Sequence, residues 1–357
     1  MNKSNLPVLP SIDNDYLVDF LARLLEIHSP TGFAREAMEL VEQEARKFPE
    51  VRVEWTKKGA LLLTLPGAAA AVATPKRALT AHVDTLGAMV RQIKSDGRLE
   101  LTGIGGFAWG SVEGENCLVH TRNDGVIRGS ILPHEASVHV YDDVRSAKRD
   151  NHSMEVRLDE RVKNPEEVRA LGISVGDFVS FDARVELVNG FIKSRHLDDK
   201  ACVASILAAI KALHDANLKP SQDVVFLISN YEEVGYGGRS DFPADLEELV
   251  ALDMAAIGSG QASDEFHASI CVKDASGPYH HELSNKLRDL ADAYGLTINV
   301  DIYVNYGSDA KAYWSAGGNA AIALIGPGVD SSHHYERTHI DALTDTTKWV
   351  LAYLLND

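Results

Sequence analysis

The residues of this sequence that could do chemistry stand where apolar runs end. The run Val224–Ser229 breaks into Glu232 and Glu233, with glycine close behind. "RALTAHV" carries His82, and Asp84 follows two residues later. "LVALDM" ends in Asp253, and "AAIALIG" leads through a loop to His333 and His334. Asp198 and Asp199 open a helical stretch. Taken singly, most of these have a plain explanation. A lone histidine at a strand end is ordinarily a satisfied polar group, and an acidic pair opening a helix fits an N-cap. The Glu232–Glu233 pair resists that explanation. Adjacent carboxylates at the end of a core strand repel and lose hydration, which raises their pKa values unless a cation compensates. Converging at one edge of a sheet, these imidazoles and carboxylates suit one or two divalent metals. Without a thiolate, that set favours zinc, with cobalt or manganese as alternatives. In "HVD" the side chains two apart share a strand face. Asp84 is therefore expected to accept a hydrogen bond from the far nitrogen of His82 and fix its tautomer.

The elements that position these residues are read from periodicity. Leu17, Phe20, Leu21, Leu24 and Leu25 recur at helical spacing, and "SPTG" stops the run. A second helix is expected over 34–48. Strands are expected in "VRVEW", "LLLTL" and "RALTAHV", with the low-complexity stretch 67–75 as a loop. From about residue 88 to 187 short strand candidates crowd together, punctuated by glycine and Asn-Asp-Gly. The charge-dense run 142–167 reads as a mobile or solvated loop. Beyond it helices and strands alternate to the end of the chain. The expectation is an α/β fold: a mostly parallel mixed sheet with helices on both faces, plus an inserted small β-barrel-like domain. Residues 1–88 and 188–357 would form the catalytic domain, and 89–187 the insert. Ligands of open α/β sheets bind beyond the carboxyl ends of the strands, where the acids and histidines lie.

Composition narrows the function. The net charge of −17, from 52 acidic against 35 basic residues, argues against nucleic acid and against an anionic membrane surface. No apolar stretch is long enough to span a bilayer, and the N-terminus lacks a secretory pattern. Cys117, Cys202 and Cys271 are scattered and odd in number, which suits core positions in a reducing cytoplasm. "GIGGFAWG" opens no helix, so its glycines are assigned to turns rather than to a nucleotide. "HHE" at 280–282 starts an amphipathic helix and is assigned to a cap or solvent face.

The segments "AHVDTLG", "LDDK", "NYEEVG", "ALDM" and "SSHHYERTH", in this order, resemble the glutamyl aminopeptidase and tetrahedral aminopeptidase family of dinuclear metallopeptidases. Within it the chain looks closest to the branch encoded with osmoprotectant dipeptide (N-acetylglutaminylglutamine amide) synthesis. The resemblance spans nearly the whole chain and implies roles. Asp198 bridges two metals. His82 and Asp253 hold one, Glu233 and His333 the other, with His334 as the alternative to His333. Glu232 is the general base, and His339 makes structural contacts. Three positions depart from the family pattern: Thr85 replaces a frequent glutamate, "YGGR" follows "EEVG", and the last ligand sits in "HHYERTH".

The implied activity is removal of N-terminal residues from short peptides by a water activated between two metals, with Glu232 moving its proton. Asp309, in "NYGSDAKAYW", is expected beside the site or at a helix cap. Two alternatives stand. One is an amidase, deacylase or carboxypeptidase-type hydrolase acting on blocked dipeptides. The other is a peptide-binding scaffold without turnover. The partners expected are a small peptide and, through the insert, further copies of the chain in a homo-oligomer.

Overall fold

The computed structural model describes residues 6–69 and 75–357. Most of the expected loop at 67–75 lies outside the described residues. The elements follow the periodicities closely. Helices α1 (Asn14–Glu26) and α2 (Arg35–Ala45) precede strands β1 (Arg52–Trp55), β2 (Leu61–Leu65) and β3 (Arg77–His82). Then come β4 (Gly87–Ile93), β5 (Leu99–Ile104), β6 (Asn116–His120), β7 (Val126–Pro133), β8 (Met154–Leu158), α3 (Pro165–Ala170) and β9 (Phe178–Phe181). Two short strands, β10 (Glu186–Val188) and β11 (Phe191–Ser194), lead into α4 (Leu197–Asp215). The remainder is β12 (Val224–Ser229), β13 (Glu248–Leu252), β14 (Ala255–Ala256), β15 (Ala268–Asp274), β16 (Gly277–Pro278) and α5 (His281–Tyr294), followed by β17 (Ile298–Ile302), α6 (Asp309–Ser315), β18 (Ala321–Val329), β19 (Glu336–His339) and α7 (Ile340–Leu355).

The main sheet runs β1-β2-β12-β3-β13-β18-β15-β16, with β17 added on β15 and β14 on β18. Its centre is parallel: β12, β3, β13 and β18 all point one way. Alternation along each strand feeds two cores. Val250, Leu252, Ala323 and Ile325 pack with α1, α4, α5 and α7 on one face. Leu249, Ala251, Ile322 and Leu324 pack with Ala310 of α6 on the other. The chain is thus an α/β protein with helices on both faces of a mostly parallel sheet.

Between β3 and β10 the chain closes a six-stranded barrel, β4-β5-β8-β7-β6-β9. It has its own core of Val90, Leu101, Val119, Ile131 and Val156. The barrel corrects one expectation. The run 142–167 is not wholly a loop, because β8 lies inside it and pairs with β5 and β7. Met154 and Val156 are fully buried. Glu155, also buried, is paired by Lys94 at 2.5 Å and Arg98 at 2.8 Å. The Glu155 charge is thus neutralised within the barrel rather than by solvent. Among the described residues no helix is long and apolar enough to cross a membrane.

Candidate active site

The parallel register fixes where the chemistry collects. Ser229 of β12 lies beside His82 of β3, and β13 runs alongside, so three strand ends deliver His82, Glu232–Glu233 and Asp253 to one rim. The start of α4 supplies Asp198 and Asp199, and the loop between β18 and β19 supplies His333.

Asp198 sits at the centre. His82 Nε2 lies 3.2 Å from Asp198 Oδ1, and His333 Nε2 lies 3.3 Å from Asp198 Oδ2. One carboxylate therefore turns an oxygen towards each of two imidazoles. Around it are two groups whose ligand atoms all lie within 4.8 Å of one another: His82, Asp199 and Asp253, and Asp198, Glu233 and His333. Glu232 belongs to neither group, yet its Oε2 is 3.7 Å from His82 Nε2. The donors are imidazole nitrogen and carboxylate oxygen, the set that zinc, cobalt or manganese accepts. Asp199 Oδ1 is buried without a hydrogen-bond partner among the described residues, a position that a cation would satisfy.

The sequence matches M42 glutamyl aminopeptidase over residues 59–349, more than half of the chain. It is 48% identical to the protein named "Putative aminopeptidase YhfE" of Bacillus subtilis (strain 168), covering 94% of this chain and 96% of that one. This chain belongs to the M42 glutamyl aminopeptidase family. Among solved structures, the Pyrococcus horikoshii TET1 peptidase, which can assemble into a tetrahedron or a large octahedral shell, superposes with a TM-score of 0.84. Its identity is 21%, with 96% of this chain and 100% of that chain covered. Aminopeptidase APDkam598 of the archaeon Desulfurococcus kamchatkensis also gives 0.84, at 20% identity, covering 96% and 95%. These two show the shared fold. The M42 chain is an aminopeptidase, a hydrolase of peptide bonds.

Several contacts of this M42 enzyme were not legible in its sequence. An acidic pair at a helix start fits an N-cap, but Asp198 and Asp199 do not cap α4. Instead the helix entrance is irregular: both residues have non-helical backbone angles, and the N-cap, His196, makes no side-chain cap. Asp199 Oδ2 accepts the His82 backbone N–H at 3.1 Å. Asp84 also departs from expectation. It is its carbonyl, at 2.8 Å, that meets His82 Nδ1, while the carboxylate stays 3.8 Å away. The carboxylate accepts Thr31 Oγ1 at 2.6 Å and the N–H groups of Glu232 and Glu233 at 3.2 and 3.4 Å. Asp84 thus holds the glutamate turn with its carboxylate and the imidazole with its carbonyl.

His333 is the histidine that faces the acids; the exposed His334 turns its Nδ1 to the Tyr335 N–H. His333 Nδ1 bonds the carbonyl of Gly106, in the barrel's glycine loop. His339 caps α7 and packs on Phe191 and Phe266, and His280 caps α5. Asp309 accepts from Thr80 Oγ1 at 3.1 Å, from Ser229 Oγ, and from the Gly238 N–H at 2.6 Å. It pins the turn after the glutamates to the sheet. A Cβ on Gly237 would fall 2.4 Å from Asp309 Oδ1, so that turn needs glycine.

Without ions the site is electrostatically unbalanced. Burial, then the Asp198 charge, pushes both Glu233 and Asp253 up to about 8. Burial also raises Glu232 well above its ordinary value, with Asp253, Asp309 and Glu233 adding to it and His82 opposing. Burial works against the His333 cation, but Asp198 and Glu233 outweigh it and raise that group to about 10. The signs agree. Between about pH 4 and 8 the folded chain retains carboxyl protons that the unfolded chain has released. The His333 contribution is complete below about 6.5 and fades as pH rises towards 10. The metal-free protein should therefore melt lower at pH 8 than at pH 5, by about 5 °C or more. Calorimetry in chelator would show the slope, and added zinc should flatten it.

Proposed function

We propose that this M42 enzyme is a two-metal aminopeptidase that releases the N-terminal residue of short peptides, with Glu232 as general base. The observation that carries this reading is the Asp198 carboxylate, turned one oxygen at a time towards His82 and His333. His82, Asp199 and Asp253 would hold one ion, and Glu233 and His333 the other, with Asp198 shared. Bound divalent ions would acidify a water and polarise the scissile carbonyl. Glu232, outside both ligand groups, takes the water's proton and returns it to the leaving amine. Asp84 keeps Glu232 at that distance through its backbone N–H.

The adjoining cavity, about 460 Å³, suits one residue and the start of the next. Lys311 and Arg239 are also among the residues that line it. Arg239 is held by the Gly235 carbonyl at 2.8 Å and lies over the Tyr236 ring. Lys311 lies against Gly307 and pairs with no carboxylate among the described residues. With two divalent ions offsetting the acids, these cations favour an acidic side chain, in keeping with a glutamyl preference. Lys311→Met should raise KM for a glutamyl anilide roughly 10-fold, the weight of one charged hydrogen bond, and leave a leucyl anilide unchanged.

We assign residues 1–88 and 188–357 to catalysis and the 89–187 insert to contacts between copies in a homo-oligomer, and to substrate access. The buried unpaired cysteines suit a reducing cytoplasm. The deciding experiment combines metal analysis with free-amine peptides and their N-acetylated, C-amidated counterparts. Two ions per chain and cleavage of the free amines support the aminopeptidase. Cleavage of the blocked dipeptides alone would replace it with an amidase of the osmoprotectant branch.

A further inference from the structure

We infer that Glu336 is a positioning residue that couples the two ends of the ligand set through their backbones; this rests on the two-metal reading above. Glu336 lies on β19, in register with Ser194 of β11, just before the chain turns to Asp198. It is 1% exposed. Its Oε2 accepts the Asp198 N–H at 3.1 Å, and its Oε1 accepts the His333 N–H at 3.1 Å. Among the described residues no lysine, arginine or histidine forms an ion pair with it. A buried carboxylate is costly unless its oxygens are used, and here both are used on the backbones of metal-facing residues.

The two residues joined are far apart in sequence and meet at the central carboxylate. Asp198 supplies that carboxylate, and His333 faces one of its oxygens. His333 has a φ of 62°, a left-handed backbone that a residue with a side chain keeps only when its surroundings impose it. Glu336 fixes the His333 backbone, and the Gly106 carbonyl fixes the far side of its ring. Only Nε2 is left towards the acids. Asp84 plays the matching part for the glutamate turn, accepting the N–H groups of Glu232 and Glu233. The difference is reach: Asp84 holds neighbours, whereas Glu336 bridges the start of α4 and the β18–β19 loop.

The chemistry requires a carboxylate of this length. A glutamine would turn an NH₂ towards one of the two N–H groups, donor against donor. An aspartate is one methylene short. The loss should be lopsided, because Glu336 holds the backbones of Asp198 and His333, two members of one ligand group, and of no member of the other. The half-site of Asp198, Glu233 and His333 should weaken first.

The test strips wild type, Glu336→Gln and Glu336→Asp with chelator, then titrates each with zinc by calorimetry, with elemental analysis for stoichiometry. Circular dichroism in chelator checks the fold. Wild type should bind two ions. Glu336→Gln should bind one normally and the second 10- to 100-fold more weakly, with excess zinc restoring kcat. Glu336→Asp should fall between. Glu336→Gln binding both ions as wild type does, or losing both equally, would overturn the inference. Wild type binding fewer than two ions would sink the two-metal reading and this inference with it. If Glu336→Gln fails to fold, hydrogen exchange on metal-free wild type decides. The His333 amide should be protected, and exchange as fast as at Ser332 would overturn the clamp.

Discussion

Glu232→Gln should retain both metal ions and lose roughly 10²- to 10⁴-fold in kcat, the range that a positioned general base contributes. Retention follows from the geometry, since Glu232 lies outside both ligand groups. Its backbone N–H, which Asp84 accepts, survives the change. The glutamine is nearly isosteric and removes one buried carboxylate from a crowd in which Asp253, Asp309 and Glu233 already raise its pKa. The variant should therefore be at least as stable as wild type in chelator. KM for a glutamyl anilide should change little, because Lys311 and Arg239 are untouched. A variant that turns over normally with its metals in place would remove Glu232 as the base. It would also reopen the scaffold and alternative-hydrolase readings of the same residues.

The legible part of this site was the part written as local conflict. Glu232 and Glu233 stand out because two like charges end a buried strand, and β12 occupies Val224–Ser229 as its apolar run implies. His82 and Asp253 were legible for the same reason: each follows an apolar run whose strand sits at the sheet centre. Asp198–Asp199 is also a pair of like charges, but a helix start offers an innocent use for acids, which masks Asp199. The structure removes the innocent use, because neither aspartate has helical backbone angles.

Glu336 and Gly106 were illegible for a deeper reason. Glu336 acts through backbone N–H groups, which every residue but proline possesses, so no pairing of residue types betrays it. Gly106 acts through its carbonyl alone, and "GIGGFAWG" gives no sign that a barrel loop reaches His333. The barrel strand β8 was hidden by its flanks. Met154, Val156 and Leu158 alternate as a half-buried strand should, but the acids and bases around them obscure the alternation.

Asp198→Asn separates the electrostatic frame from proton transfer. Asp198 is held below its ordinary pKa while Asp199, Glu232, Glu233 and Asp253 around it are raised: burial opposes its charge, but bonds from His333 and His82 prevail. An amide there keeps a similar shape, offers an oxygen to one imidazole and turns an NH₂ towards the other. It can no longer supply negative charge to both half-sites. Zinc affinity should fall at both, in contrast to the one-sided loss expected for Glu336→Gln. Activity at micromolar zinc should fall about 10³-fold or more, since ions that polarise the carbonyl contribute several kcal/mol. The double variant Asp198→Asn, Glu232→Gln decides whether the two residues form one machine. A base with no activated water has nothing to deprotonate, so the second substitution should cost little once the first is made. Fully multiplicative losses would mean that Glu232 acts on something other than the water placed beside Asp198.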